Sequence, residues 1–377
     1  MKILYILSGS VMGGATHSVL TLIKDMKDKG NQVIVVSPNM SGYLKESLIE
    51  HNIQWYVVRY GFMAYPNWGF IFIKGIFRLA RILIREYIAV KKISEIINIE
   101  GIDIVHTNVG PVVCGYEACK KTRTPHVWHI REYGDKDFNI QMFPTKSAFR
   151  RKLQNSNVIS ITKDLLSYFD IALSSKACVI YNGVRRKGDV RLDFPKEKYF
   201  LCASRISPEK GFEQVIRVFA SFHQTYPDYR LIILGSGNNN YINRLHQMAT
   251  DLEVEAAISY EGYKDNVSEY MAKAKALLVA SPAEGFGRMT AEAAFAGCLV
   301  IGKKTAGTKE IMDIIGGYPF ITDDEMLQAM VEVANLSNER YLEKAQMAQQ
   351  SAISHFSEEQ YVESVSELYN SILSVNH

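Results

Sequence analysis

Short apolar runs alternating with amphipathic stretches leave this chain few architectures to choose from. ILYIL (3–7) is short for a helix and too uniformly apolar for a strand with one wet face, so it reads as a strand covered on both sides. Gly13 and Gly14 follow, then a helical stretch, SVLTLIKDMKDKG, in which Val19, Leu20, Leu22, Ile23 and Met26 are apolar and Gly30 acts as a C-terminal cap. QVIVVS, IDIVHT, HVWHI and NVISI repeat the strand pattern, mostly separated by helical stretches. Such alternation builds a doubly wound parallel sheet.

The pattern then restarts. YFLCASRI, RLIILGSG, ISYEG, ALLVASP and CLVIG are a second set of strands, with helices such as EQVIRVFASFHQ and NRLHQMATDL between them. The charged stretch between the sets, GVRRKGDVRLDFPKEK, has Gly and Pro but no hydrophobic periodicity, and reads as a linker. At 377 residues the chain is long for one core. The expected organisation is α/β, with domains at 1–186 and 187–356 and a last helix, SEEQYVESVSELYNSIL, in 357–377 that follows the second sheet and packs elsewhere.

Composition excludes several classes. With 43 basic and 40 acidic residues, the net charge of +3 lacks the electrostatic footprint of a nucleic-acid binder. Cys114, Cys119, Cys178, Cys202 and Cys298 form no Cys-x-x-Cys pair and no His cluster has zinc spacing, which reads as reduced thiols in a cytoplasmic protein. MKILYILSGS is too short in its apolar run for a signal-peptide core, and no stretch approaches 18 uninterrupted apolar residues, so no transmembrane helix is expected.

Open α/β sheets bind ligands beyond the carboxyl ends of their strands. In the first half those ends carry Gly13-Gly14, His106 with Asn108, and His129 with Arg131 and Glu132. In the second they carry Arg205 and Lys210, Gly235-Ser236-Gly237, Gly262-Tyr263, and the segment ASPAEGFGRMTAEAAFAG. Gly13-Gly14 is consistent with a phosphate approach or with a plain tight turn. The dinucleotide fingerprint is absent, because SGSVMGGA lacks its spacing and Ser37-Pro38 stands where an acidic residue is expected. Arg205 and Lys210 bracket a strand–helix turn and suit a diphosphate, or are solvated loop charges. His129 and His106 are functional or merely satisfied structural residues, and neither has a triad partner evident in the sequence.

Within ASPAEGFGRMTAEAAFAG, ALLVA gives a strand and RMTAEAAFA a helix, so Gly285-Phe286-Gly287 occupies the turn. Its N–H groups and the helix dipole favour an anion. Glu284 stands before the turn, and Glu292 lies about five residues into the helix, roughly 7 Å along it at ~1.5 Å per residue. The pair could hold hydroxyls on either side of a phosphate, unless Glu292 simply faces solvent.

Glu284 and Glu292 around GFG resemble the glutamate pair of retaining GT-B glycosyltransferases, most closely family 4 (glycosyl transferases group 1). The likeness spans nearly the whole chain: SGSVMGGA, KGNQVIVVS, IDIVHTN, YNGV, ASRISPEKGFEQVI, LGSG, YEGYKDNVSEYMAKAKALLVASPAEGFG and AGTKEIM occur in the family's order. Two motifs depart from it: the last loop has Gly307-Thr308 for a glycine pair, and Arg185 stands where aspartate is common. The resemblance implies two Rossmann-like domains facing across a cleft, with the C-terminal helix crossing back to the first.

It also implies roles. Arg205 and Lys210 would bind the donor diphosphate, Glu292 the ribose, Glu284 with the Gly285–Gly287 backbone the donor sugar, Gly14 the phosphates, and His129 the transferred sugar. No metal or other cofactor is implied. Transfer with retention would proceed on one face of the sugar, the leaving phosphate helping to deprotonate the acceptor. The expected activity is a metal-independent hexosyl transfer from a nucleotide sugar, with UDP as the family's commonest carrier, to a glycan or polyprenyl-linked acceptor in bacterial surface-polysaccharide synthesis. A sugar-nucleotide epimerase, a phosphorylase, an oxidoreductase or a non-catalytic sugar-nucleotide binder are the alternatives.

Residues 59–92, RYGFMAYPNWGFIFIKGIFRLARILIREYIAVKK, contain seven basic residues and one acidic. Lys74, Arg78, Arg81 and Arg85 share one helix face, beside Tyr65, Trp68, Phe70, Phe72 and Phe77. An interfacial helix at anionic lipid, within 65–92, would place the protein at the inner face of the plasma membrane. A core helix with a solvated basic edge is the alternative.

Overall fold

The computed structural model describes residues 1–9, 13–66 and 72–375, without the side chains of 66, 72–78 and 375. The chain divides into two compact units, Met1–Gly183 with Glu358–His377, and Val184–Ser357.

In the first unit the strands are β1 (Lys2–Ile6), β2 (Gln32–Ser37), β3 (Gln54–Val57), β4 (Ala64–Pro66), β5 (Ile104–Asn108), β6 (His126–Ile130), β7 (Ile140–Met142), β8 (Asn157–Ser160) and β9 (Ala177–Val179). Seven of them form one sheet in the order β3-β2-β1-β5-β6-β8-β9, and all its pairings are parallel. The order reverses beside β1, which puts the switch point of a doubly wound sheet between β1 and β5. β1, β5 and β6 run through buried residues, which explains their uniformly apolar sequences. β4 and β7 form a separate antiparallel pair. The expectation of one helix through 59–92 is corrected at its start, because Tyr65 lies on β4 and the helix begins at Phe72.

Helices cover both faces. One core joins the helix Gly14–Asp28 to the terminal helix Glu358–Val375, whose Tyr361, Val362, Val365, Tyr369 and Ile372 are buried among Ile3, Tyr5 and Val35. The opposite core packs the helix Phe72–Glu100 through Ala89, Val90, Ile93 and Ile97 onto Leu4, Ile6 and Ile34. The expectation that the last helix packs away from the second sheet is met. Gly183 is needed beside it: a Cβ there would lie 2.6 Å from Glu358 Cα.

The second unit has strands β10 (Tyr199–Ala203), β11 (Arg230–Leu234), β12 (Ile258–Gly262), β13 (Ala276–Val279), β14 (Leu299–Lys303) and β15 (Tyr318–Phe320), in the parallel order β12-β11-β10-β13-β14-β15. The switch point lies between β10 and β13. The stretch read as a linker is held on this unit: Arg191 N–H donates to Phe295 O and Glu197 N–H to Lys273 O.

Candidate active site

Two groups of candidate site residues gather at the carboxyl ends of the sheets, one in each unit.

In the first unit the sites follow β1, β5 and β6. Gly14 opens the helix Gly14–Asp28 and Gly13 is its extended N-cap, with φ −172°. A Cβ on Gly13 would meet no atom of the described residues within 4 Å. The loop residues 10–12 lie outside the described residues. Asn108, ending β5, accepts from Arg131 Nε at 2.5 Å and its Nδ2 donates to Ala15 O at 3.5 Å, tying β5 and β6 to that helix's first turn.

His129 is fully buried. Its Nδ1 lies 3.2 Å from His106 Nε2 and 3.3 Å from Arg131 Nη2, while its Nε2 is buried with no partner among the described residues. Burial, then the charge of Arg131, holds both His129 and His106 well below the ordinary imidazole pKa. His129 is therefore neutral at pH 7. It is suited to donate or accept a hydrogen bond and poorly suited to carry a proton through a reaction. Arg131 also donates to Asn182 Oδ1 at 2.5 Å and to Tyr361 OH at 2.9 Å, and Tyr369 OH is 2.6 Å from His106 Nδ1. Asn182 had appeared only within the YNGV motif, and Tyr361 and Tyr369 were not among the sequence-derived candidates. Their signal was the i, i+8 spacing of two tyrosines on an otherwise ordinary amphipathic helix.

Glu132 is buried and accepts the Gly110 N–H at 2.6 Å, and burial pushes its carboxyl up to about 8. It fixes the loop after β5, where Val109 is forced to φ +89°. A β-branched residue in that region is strained, and such strain concentrates at functional sites.

In the second unit β10 is followed by the turn Pro208–Lys210 and the helix Phe212–Thr225. Gly211 between them has φ +75°, and a Cβ there would lie 2.5 Å from Ala280 O. This close approach brings the β10 turn against the β13 turn. Across it, Lys210 Nζ donates to Glu284 Oε1 at 2.5 Å, with both side chains about four-fifths buried. Arg205 does not share that contact. It is largely exposed and pairs with Glu209 at 2.7 Å.

The GFG turn is built by backbone constraints. Gly287 has φ +83° as N-cap of the helix Arg288–Phe295, and Phe286 is buried against Phe356. Gly307 N–H donates to Glu284 O at 2.9 Å, and a Cβ on Gly307 would lie 2.7–2.8 Å from Phe286 C and Glu284 O. The first turns of the helices Arg288–Phe295 and Ala306–Ile315 are thus locked together at the carboxylate-bearing loop. Two helix N-termini, with the buried hydroxyls of Thr290 and Thr308 unpartnered among the described residues beside them, favour an anion.

Glu292 is buried, which removes the solvent-facing alternative. It accepts from Arg288 Nε at 2.8 Å and from Arg185 Nη2 at 3.2 Å. Arg185, a departure from the family motif, supplies this carboxylate with a counter-charge. Gly235 (φ +137°) and Gly237 allow close approach, since a Cβ on either would lie 1.9 Å from Ser204 O or 2.1 Å from Ile206 O. Gly262 accepts from Gly235 N–H at 2.8 Å, and Tyr263 is mostly exposed.

Family models settle the affiliation. Residues 12–187 match Glycosyltransferase Family 4 and residues 186–329 match Glycosyl transferases group 1. The chain belongs to the family 4 glycosyltransferases. This glycosyltransferase is 27% identical over 340 residues to a 42.6 kDa protein of the cps region of Klebsiella pneumoniae, covering 83% of this chain and 87% of that one. It is 30% identical over 173 residues to the O-antigen chain mannosyltransferase of Salmonella typhimurium, covering 44% and 48%. Its fold matches that of Anabaena HepE in complex with UDP at a TM-score of 0.77 and 21% identity, over 97% of this chain and 99% of that one. The GT-B fold of two Rossmann-like units is therefore shared.

Of the membrane candidates in this glycosyltransferase, Arg81 and Arg85 are exposed, whereas the side chains of Lys74 and Arg78 lie outside the described ones. Among the described residues no helix is long and apolar enough to cross a membrane, and no cluster of three or more His, Cys, Asp or Glu is placed to hold a metal ion.

Proposed function

We propose that this glycosyltransferase moves a hexose-type sugar, with retention and without a metal ion, from a nucleotide diphosphate sugar to a glycan or polyprenyl-linked acceptor in bacterial surface-polysaccharide synthesis. The observation that carries the reading is the Lys210–Glu284 pair, set on loops that Gly211 and Gly307 bring together. Lys210 is a cation for the diphosphate, Glu284 an acceptor for sugar hydroxyls, and each holds the other in place until the donor arrives. Glu292, held between two arginines, remains the candidate for the ribose hydroxyls. Arg205, paired with the exposed Glu209, is a second cation for the departing diphosphate once it releases that partner. UDP as carrier draws support from the UDP bound to the structurally similar HepE, and the polysaccharide setting from the names of the Klebsiella and Salmonella relatives.

Without an enzymic nucleophile, the chemistry rests on positioning and on stabilising an oxocarbenium-like state. The departing diphosphate oxygen takes the acceptor's proton on the face it leaves.

A lipid contact belongs to the same reading. Leu83, Ile84, Tyr87 and Ile88 are exposed on the helix Phe72–Glu100, rimmed by exposed Arg81, Arg85, Lys91 and Lys92, and Lys121 lies over the Tyr87 ring at 5.6 Å. Apolar side chains inside a basic rim match an anionic bilayer surface at the inner face of the plasma membrane.

Thermal shift with a panel of nucleotide sugars tests the donor, since a ligand bound only to the folded state stabilises it by mass action. Stabilisation by UDP and at least one UDP-sugar is expected. A response to nicotinamide dinucleotides alone would replace the reading with an oxidoreductase.

A further inference from the structure

The buried network beside His129 draws on the last helix of the chain. Tyr361 and Tyr369 lie eight residues apart on Glu358–Val375, a little over two turns at about 3.6 residues per turn, and so share a face. Tyr361 meets Arg131, and Tyr369 meets His106. Arg131 and His106 are in turn the two partners of His129 Nδ1. All five side chains are buried, so each polar atom must be satisfied within the network or be left orphaned.

Donor and acceptor chemistry gives the network one direction. A guanidinium only donates, so the Arg131 contact makes His129 Nδ1 an acceptor. A neutral His129 then carries its proton on Nε2. His106 Nε2 faces the same acceptor and must be the protonated nitrogen of its own ring. That leaves His106 Nδ1 to accept, and the Tyr369 hydroxyl at 2.6 Å supplies the proton. The Tyr5 hydroxyl lies 3.4 Å from that of Tyr369, at the far side of the network. The series ends on His129 Nε2–H, a buried atom with no partner among the described residues. An unpaired buried donor costs free energy, and a ligand hydroxyl that accepts from it would recover that cost.

We propose that Tyr361 and Tyr369 are positioning residues, which hold Arg131 and His106 so that His129 keeps its proton on Nε2 and presents that N–H to a hydroxyl of the transferred sugar. The inference rests on the reading of His129 as a sugar contact. Phenylalanine at both positions would fill the same volume and preserve the packing of the helix. It would leave His106 Nδ1 without a donor, and the ring would re-tautomerise. His106 Nε2 would then offer a lone pair to the lone pair of His129 Nδ1, so the orientation of His129 would be lost.

The test uses the full chain labelled with nitrogen-15 at its nine histidines, and two-bond proton–nitrogen correlations, which read the protonated nitrogen of each ring without any substrate. In the native protein His129 and His106 are both expected to be protonated on Nε2. In the Tyr361→Phe/Tyr369→Phe protein those signals are expected to shift or split. In the same variant kcat should fall about tenfold while the donor KM stays within about twofold, the loss of a contact made mainly in the transition state. A native His129 protonated on Nδ1, or a double variant with native signals, overturns the proposal. A native kcat in the double variant overturns it too. Undiminished transfer by His129→Ala would remove the sugar contact itself, whereas the ring signals still report whether the tyrosines set the tautomer.

Discussion

Lys210 and Glu284, seventy-four residues apart in the sequence, meet at 2.5 Å where the turn after β10 touches the turn after β13. Gly211 makes the meeting possible, because any side chain there would collide with the Ala280 carbonyl. The two residues form a charge pair, and the proposed reading gives them different tasks towards the donor.

Lys210→Ala and Glu284→Ala are each expected to lower turnover at least about tenfold, the scale of one lost contact to developing charge, with folding intact. Lys210→Ala should also raise the donor KM, since a diphosphate cation is lost. Circular dichroism checks the fold, and sugar transfer from the preferred donor checks the rate. Near-native rates in both variants would remove the pair from the site.

Gly307→Ala is expected to cost roughly 1–3 kcal/mol, as overpacking does, because the new methyl would press on Phe286 and on the Glu284 carbonyl. The displaced loop carries Glu284, so turnover should fall further than the lost stability explains. Thermal unfolding of the variant, with rates taken well below its midpoint, separates the two effects. A variant with native midpoint and native rate would mean that the two loops are not rigidly joined.

Glu86 gives the fold a specific pH dependence. It is buried on the helix Phe72–Glu100, one carboxyl oxygen has no partner among the described residues, and burial, reinforced by Glu117 and opposed by Lys152, pushes its pKa from 4.5 to about 7. Below 4.5 the folded and unfolded chains both hold the proton. Between 4.5 and about 7 the folded chain binds more protons than the unfolded one, so stability falls as pH rises across that window and then levels. Glu86→Gln keeps the shape and removes the titration. It should raise stability by about 2 kcal/mol at pH 8, at about 1.4 kcal/mol per pKa unit discounted for partial hydration, and leave stability near pH 4.5 almost unchanged. Thermal midpoints at both pH values check this, and an equal gain at both would assign the effect to packing.

The face carrying Ile84 and Tyr87 is expected to bind vesicles with anionic headgroups and to leave neutral ones in solution. Raising the salt to about 0.5 M, which shortens the screening length to a few ångströms, should release it. Ile84→Glu/Tyr87→Glu should abolish sedimentation with vesicles without altering the thermal midpoint, since both side chains are exposed. Equal binding to neutral and anionic vesicles would rule out an electrostatic contact.

Much of the architecture was readable because parallel strands covered on both faces lose their polar alternation. ILYIL and HVWHI are apolar runs for that reason, and β1 and β6 lie deep in the first sheet. The three-residue strands β4 and β7 were not readable, since they carry no periodicity and pair only through the fold. In the candidate site, the sequence placed Lys210 and Glu284 at strand ends but could not show that they touch. It grouped Arg205 with Lys210, whereas the structure turns Arg205 to Glu209. Glu292 illustrates the same limit. Arg288 four residues earlier was visible on the helix, but Arg185 reaches it from a distant loop, and only the fold reveals that a departure from the family motif serves as a counter-ion.

The terminal helix also sets an order of events during synthesis. The second unit, Val184–Ser357, is one unbroken run, whereas the first draws Tyr361, Val362, Val365, Tyr369 and Ile372 into its core. A chain leaving the ribosome from its N-terminus therefore exposes the first sheet long before it can be covered. The unit encoded second is the one able to close first, and the earlier one waits, partly open, for residues 358–372.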